Sequence, residues 1–150
     1  VRISVQTEDF DAGAEIAGLL AGRTDAGGLG CFIGTVRGQH AGRAIENLTL
    51  EHYPAMTEAA LAAVAAEAER RWPLLGVTIV HRVGVLRPGD NIVLVAACSA
   101  HRQAALDATA FLIDWLKTRA PFWKKERFSD GAEAWVEPRA GDDEAAARWS

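Results

Sequence analysis

Two apolar, β-branched runs, Val77 to Leu86 and Ile92 to Ser99, are separated only by Arg87-Pro88-Gly89-Asp90. Proline presets the first turn dihedral and glycine accepts the positive φ that follows, so this spacing predicts a hairpin. Strands joined by a tight turn pair antiparallel. A doubly wound nucleotide fold would need strict βαβ alternation and a glycine-rich first turn, and the chain has neither. The expected class is α+β, with a largely antiparallel sheet.

The remaining elements follow from periodicity. Arg2 to Val5 alternates as a short strand, and Asp9 or Asp11 can cap a helix through about Ala21, with Gly22 at its end. Leu29 to Arg37 reads as a strand, then Gly38 to Gly42 as a loop, then Ile45 to Tyr53 as a second strand. Pro54 opens a helix through about Trp72, and Pro73 stops it. A third main helix is expected from about Ala100, capped by Ser99, to Arg119. Phe122 to Phe128 and Ala132 to Glu137 flank a turn at Ser129-Asp130-Gly131 and predict a last hairpin. Residues 138–150 read as a polar C-terminal tail that orders against a partner, so one domain over 1–150 is the expectation.

The chain of 150 residues is 49% hydrophobic and 24% charged, an ordinary globular balance. No apolar run approaches the roughly 18 residues of a membrane span, and Val1-Arg2-Ile3-Ser4-Val5 lacks the apolar core of a signal peptide, so the cytoplasm is the expected compartment. Two cysteines make no disulfide framework, and Cys31 and Cys98 read as small buried hydrophobes in apolar strands. Met56 reads as core. Cys98 and His101 have CxxH spacing without a second ligand pair, so no metal site is expected. A net charge of -4 argues against a general nucleic-acid binder.

Charge is unevenly placed. There are 13 arginines but only 3 lysines, and Lys117, Lys124 and Lys125 fall within nine residues. Residues 117–127 carry a local charge of +4 against -8 for the remainder, which suits one anionic ligand or partner segment; a solvated strand edge is the plainer alternative. Lys117 follows Leu106, Ala110 and Ile113 at helical spacing, so it ends an apolar stripe. It either complements the helix dipole or stands at a pocket rim, where desolvation lowers its pKa. Strand alternation after Pro121 sends Phe122, Lys124 and Glu126 one way and Trp123, Lys125 and Arg127 the other. His101 and Arg102 in a first helical turn oppose the dipole but make a ready anion site. Arg37 ends a strand before a glycine loop, a common place for a ligand-facing side chain. His81, inside a strand, reads as structural.

Several segments together resemble the large, catalytic subunit family of molybdopterin synthase. They are Phe32-Ile33-Gly34-Thr35-Val36-Arg37, Glu51-His52-Tyr53-Pro54-Ala55-Met56, His81-Arg82-Val83-Gly84 with Pro88-Gly89-Asp90, and Ser99-Ala100-His101-Arg102. Lys117-Thr118-Arg119-Ala120-Pro121-Phe122-Trp123-Lys124-Lys125-Glu126 is the most specific, followed by Asp130-Gly131 and Trp135-Val136-Glu137. The resemblance spans about residues 29 to 149, and the first 28 residues carry no part of it.

The resemblance implies an α/β-hammerhead fold and a homodimer that binds a small ubiquitin-like subunit at each end, giving a heterotetramer. That partner would carry a Gly-Gly C-terminal thiocarboxylate and supply the sulfur, so no cofactor is needed. The reaction would convert cyclic pyranopterin monophosphate to molybdopterin. The family's site falls on Thr35, Val36, Arg37, His101, Arg102, Lys117, Lys124, Lys125 and Glu126, with Lys117 and Lys124 as catalytic residues and Arg139 as a further anion contact, in cis or across the dimer. Two rivals use the same residues differently: a non-catalytic anion- or RNA-binding module on the basic island, with Phe122 and Trp123 for stacking, and persulfide transfer through Cys31 and Cys98.

Overall fold

The computed structural model describes residues 1–150. A four-stranded sheet has the order β1 (Arg2–Gln6), β5 (Leu74–Arg82), β7 (Asn91–Ser99), β2 (Gly28–Thr35). Only β1 and β5 are parallel; β5–β7 and β2–β7 are antiparallel. The central strands β5 and β7 are buried along nearly their whole length, because both faces are covered. On one face α2 (Pro54–Arg71) and α3 (Arg102–Arg119) close a core of Leu61, Val64, Ile79, Val95, Phe111 and Leu112. On the other, α1 (Ala12–Leu20) brings Leu19 to a smaller core that includes Phe10, Val80, Leu94 and Cys98. The Asp11 side chain accepts from the Ala14 amide, 3.0 Å, and so starts α1 as an N-cap.

The second sheet runs β3 (Gln39–His40), β4 (Arg43–His52), β8 (Phe122–Phe128), β9 (Glu133–Trp135), with β6 (Gly84–Leu86) also paired to β4. The predicted hairpin therefore holds with one correction: the run Val77 to Leu86 is two strands in two sheets. The chain leaves the first sheet at Val83, whose amide donates to the Gln6 carbonyl, 2.9 Å, and swings through Gly84 at φ 92. Apolar content is the same on both sides of the break, so periodicity does not mark it. The Arg87-to-Asp90 turn forms as expected, with Gly89 at φ 89 and the Asp90 amide donating to the Arg87 carbonyl, 2.9 Å.

Other corrections concern ends and exposure. The segment 38–42 is not a plain loop; Gln39–His40 pairs with Arg43–Ala44 around Ala41 and Gly42, both at positive φ, a two-residue hairpin turn. Met56 is 61% exposed and is not core. Cys31 is exposed rather than buried. Residues 138–150 are not a tail awaiting a partner but contain α4 (Ala140–Ala147), which packs on α3. Its anchor is Trp149, edge-on to Trp72 and Phe111, with Nε1 donating to Asp114, 2.7 Å. The helices thus number four, three of them the expected main ones. None is long and apolar enough to cross a membrane.

Candidate active site

The site forms where the two sheets meet. A bulge between Gly34 and Thr35 ends the β2–β7 ladder and turns Thr35, Val36 and Arg37 out of the first sheet. Val36 is buried, and both its backbone groups are held by the hairpin turn. Its amide donates to the Asp90 carbonyl, 2.9 Å, and its carbonyl accepts from the Gly89 amide, 2.8 Å. This clamp fixes where the next residue, Arg37, leaves the chain.

Lys117 arrives from the last turn of α3, and the two-residue period of β8 brings Phe122, Lys124 and Glu126 to the same side. With Thr35, Val36 and Arg37 they line a cavity of about 340 Å³. Its apolar floor is Ile45, Leu48, Ile92 and Phe122; its outer wall is Val136 to Arg139, with Asp142 from α4. That wall is tied to the lysine strand, since the Val136 amide donates to the Lys124 carbonyl, 2.8 Å. A smaller chamber of about 90 Å³ shares Thr35, Ile92, Lys117, Phe122 and Lys124 and adds His81.

Burial pushes the Lys124 amine down to about 8, and the neighbouring Lys117 and Arg37 charges push the same way, opposed by Asp142. This brings the free amine of Lys124 closer to neutral pH than that of an ordinary lysine. Glu126, 7% exposed, is paired through its carboxylate with Nδ1 of His40. Burial likewise pushes the His81 imidazole down to about 3, with Lys124, Lys117 and His52 adding repulsion.

Of the residues expected from the sequence, the fold gathers Thr35, Val36, Arg37, Lys117, Lys124, Glu126 and Arg139 around one cavity. It does not bring Lys125 there. That ammonium lies on the opposite face of β8, 3.2 Å from Glu133 and over the Trp135 ring. Arg127 on the same face pairs with Glu46 at 3.3 Å. The basic island is thus split between two faces, one facing the cavity and one neutralised. His101 and Arg102 are exposed at the far end of α3 and do not line the cavity. At 1.5 Å per residue, His101 stands about 24 Å from Lys117 along the helix axis. Ser99 is not the cap of α3; it lies in β7 with its hydroxyl donating to the Pro73 carbonyl, 2.8 Å, and His101 occupies the N-cap. The apolar stripe below Lys117 is a flank rather than core, for Leu106 is 56% exposed.

The sequence does not mark Pro138 and Asp142, which lie in the segment expected to be a tail, nor Glu137, expected only as the end of the last hairpin strand, as cavity residues. Nor does it mark His81 as a cavity residue, because on a strand buried on both faces alternation gives no sign of which side chain meets a cavity. Neither cysteine lines the cavity, and burial pushes both thiols up, away from the reactive thiolate.

Fold and site together define a class: an α+β chain whose cleft gathers two lysines and two arginines, an arrangement suited to an anionic ligand. The profile of the family described as MoaE protein matches residues 5–119. The molybdopterin synthase catalytic subunit of Mesorhizobium japonicum is 54% identical over 148 residues, 98% of this chain and 92% of its own. The solved molybdopterin biosynthesis MoaE protein from Burkholderia ambifaria has a TM-score of 0.85 at 52% identity, covering 99% of this chain and 97% of that one. The complex of subunits 1 and 2 of molybdopterin-converting factor from Helicobacter pylori shares the fold, with a TM-score of 0.71 at 20% identity over 91% of each chain. The chain belongs to the MoaE family, the catalytic subunits of molybdopterin synthase in molybdenum cofactor biosynthesis. The family match begins at residue 5 and so reaches into the first 28 residues, which carry no part of the resemblance legible in the motifs.

Proposed function

We propose that the chain converts cyclic pyranopterin monophosphate to molybdopterin in the cytoplasm, using sulfur from the thiocarboxylated Gly-Gly terminus of a small ubiquitin-like subunit and no cofactor of its own. The observation that carries this reading is the convergence of Lys117 and Lys124 on one cavity with Arg37 and Arg139. A small-subunit partner is supported by the Helicobacter pylori relative, which is a complex of two subunits. Arg37 and Arg139 suit a phosphate and a carboxylate-like tail by charge-assisted hydrogen bonds. The apolar floor suits the ring system. Lys124, with its lowered pKa, supplies the free amine that removes a proton as the cyclic phosphate opens and sulfur adds. Lys117 remains beside it as the cation that balances developing negative charge. The nucleophilic sulfur comes with the partner, consistent with the two unactivated thiols of this chain.

His101 and Arg102 join the site only if a second copy supplies them. A homodimer, and with two small subunits a heterotetramer, is therefore part of the proposal. The outward placement of Lys125 argues for a role in holding Glu133 and β9 rather than in substrate contact.

The test is reconstitution with thiocarboxylated small subunit and the pyranopterin, with molybdopterin as the readout. Lys117→Ala and Lys124→Ala are each expected to slow product formation by about 100-fold or more while the fold and small-subunit binding persist. Full turnover by either variant overturns its assigned role. Salt-sensitive RNA binding that needs Lys124 would favour the binding-module rival instead.

A further inference from the structure

His81 is the one histidine that is almost wholly buried, 3% exposed. Two contacts fix it. Its ring stacks on Phe122 with centroids 3.7 Å apart and planes 14° from parallel. Its Nδ1 lies 2.8 Å from the carbonyl oxygen of Arg82. A carbonyl can only accept, so Nδ1 carries the proton and donates. The Arg82 carbonyl is itself stationary, because the Arg82 guanidinium donates to the Thr7 carbonyl at 3.0 Å and the Asn91 carbonyl at 3.2 Å. With Nδ1 occupied, the neutral ring presents Nε2 as a bare acceptor, and the wall it helps to form is that of the chamber containing Lys117 and Lys124. The only sealed, partnerless histidine nitrogen in the protein is Nδ1 of His52, not Nε2 of His81.

We propose that His81 is a positioning residue for the lysine pair: its Nε2 accepts a hydrogen bond from one water that the Lys124 amine in turn holds in the shared chamber, and so aims that amine at the cavity. This rests on the reading of Lys124 given above. The chemistry suits the place. Apart from the Thr35 hydroxyl, every other polar side chain near Lys124 is a full charge: Lys117 from α3, Arg37 after β2 and Asp142 from α4, with Glu126 on its own strand and Glu137 and Arg139 after β9 sharing the cavity. A carboxylate at position 81 would lock Lys124 as an ammonium, and an apolar residue would leave it without a partner at that end. A neutral acceptor serves both protonation states, since imidazole nitrogen accepts from an amine and from an ammonium alike. Burial keeps His81 neutral throughout the working range, so it never adds a third cation to the chamber.

The chain has only three lysines, so 13C-labelled lysine gives three resolvable Cε signals in the protein without substrate or partner. In the wild type one is expected to titrate near 8, identified by its loss in Lys124→Ala. His81→Phe preserves the stack on Phe122 but removes the acceptor; the Lys124 midpoint should fall by half a pH unit or more, because the ammonium loses a partner. His81→Gln, with an amide oxygen in reach, should restore most of that difference. An unmoved midpoint in His81→Phe overturns the proposal, as does a midpoint that falls equally in His81→Gln. So does an imidazole at position 81 that titrates in its ordinary range. In turnover, kcat should fall about tenfold in His81→Phe with KM within twofold. If Lys124→Ala proves fully active, the catalytic reading of Lys124 fails, while the titration still decides the contact.

Discussion

In the unfolded chain Lys124 holds its proton to about pH 10.5; on β8, between the apolar floor and Lys117, it holds it only to about 8. His81 shifts in the same sense, from about 6.5 to about 3, mainly through burial. For both, the unfolded state binds more protons between the two values, so stability rises with pH across that window. For Lys124 the cost of its buried charge is fully present below pH 8 and is relieved between 8 and 10.5. For His81 the folded state loses ground as pH drops below 6.5, and the loss continues toward 3. The carboxylates that hydrogen bonds and neighbouring guanidinium groups hold low, Asp9, Glu15, Glu67 and Asp130, keep ordinary unfolded values of 3.8 or 4.5. They therefore contribute little above pH 5. Urea unfolding at pH 7 and pH 5 should accordingly show a loss of about 2 kcal/mol in the wild type, largely absent in His81→Phe. An equal loss in both would mean that His81 is hydrated or charged in the folded protein. At this scale the sequence is informative where a two-residue period decides: alternation alone separates Lys124 from Lys125. For His81 it gives only a structural reading, because nothing local distinguishes a core histidine from one that walls a chamber.

The elements divide in the same way. Hairpin chemistry at Pro88-Gly89 and the cap at Asp11 are local, and both formed as read. The break at Val83 was illegible because it depends on a distant partner, the Gln6 carbonyl. The helix α4 was missed for a different reason. Its sequence, Ala140-Gly141-Asp142-Asp143-Glu144-Ala145-Ala146-Ala147, has no large apolar residue, and its anchor, Trp149, lies beyond the helical segment. Three further contacts hold it: Arg148 to Asp114 at 3.0 Å, Trp115 Nε1 to the Ala146 carbonyl at 3.4 Å, and Arg71 to the Trp149 carbonyl. Trp149→Ala removes the ring that packs edge-on to both Trp72 and Phe111 and leaves Asp114 short of a donor. A loss of about 2 to 3 kcal/mol is expected, below the range for a fully buried tryptophan because this one is half-buried. Limited proteolysis should then cut first after Pro138, and KM for the pterin should rise as the wall of Arg139 and Asp142 loosens. Unchanged protease resistance would show that α4 docks without its tryptophan.

At the scale of the molecule, one chain holds only part of the cation set that the resemblance implies. The missing part, His101 and Arg102, sits about 24 Å from Lys117 at the other end of α3. Between the two ends runs the flank Leu106, Ala110 and Ile113, with Leu106 56% exposed. Beside it, β2 is the outermost strand of its sheet and shows Phe32 at 39% and Ile33 at 38% exposure. A two-fold axis near Ala110 would lay two copies of α3 antiparallel, match Leu106 with Ile113 of its mate, and carry each Arg102 toward the other Lys117. Such an isologous contact covers the apolar flank and completes both sites at once. Leu106→Glu should therefore yield monomers by light scattering and abolish turnover together. A sharper test mixes two inactive variants, Lys117→Ala and Arg102→Ala, by co-expression. If Arg102 acts across the dimer, each mixed dimer contains one site with its own Lys117 and its neighbour's Arg102. Random pairing then restores about a quarter of wild-type activity. If Arg102 serves its own chain, every site in every dimer lacks one residue, and mixing restores nothing.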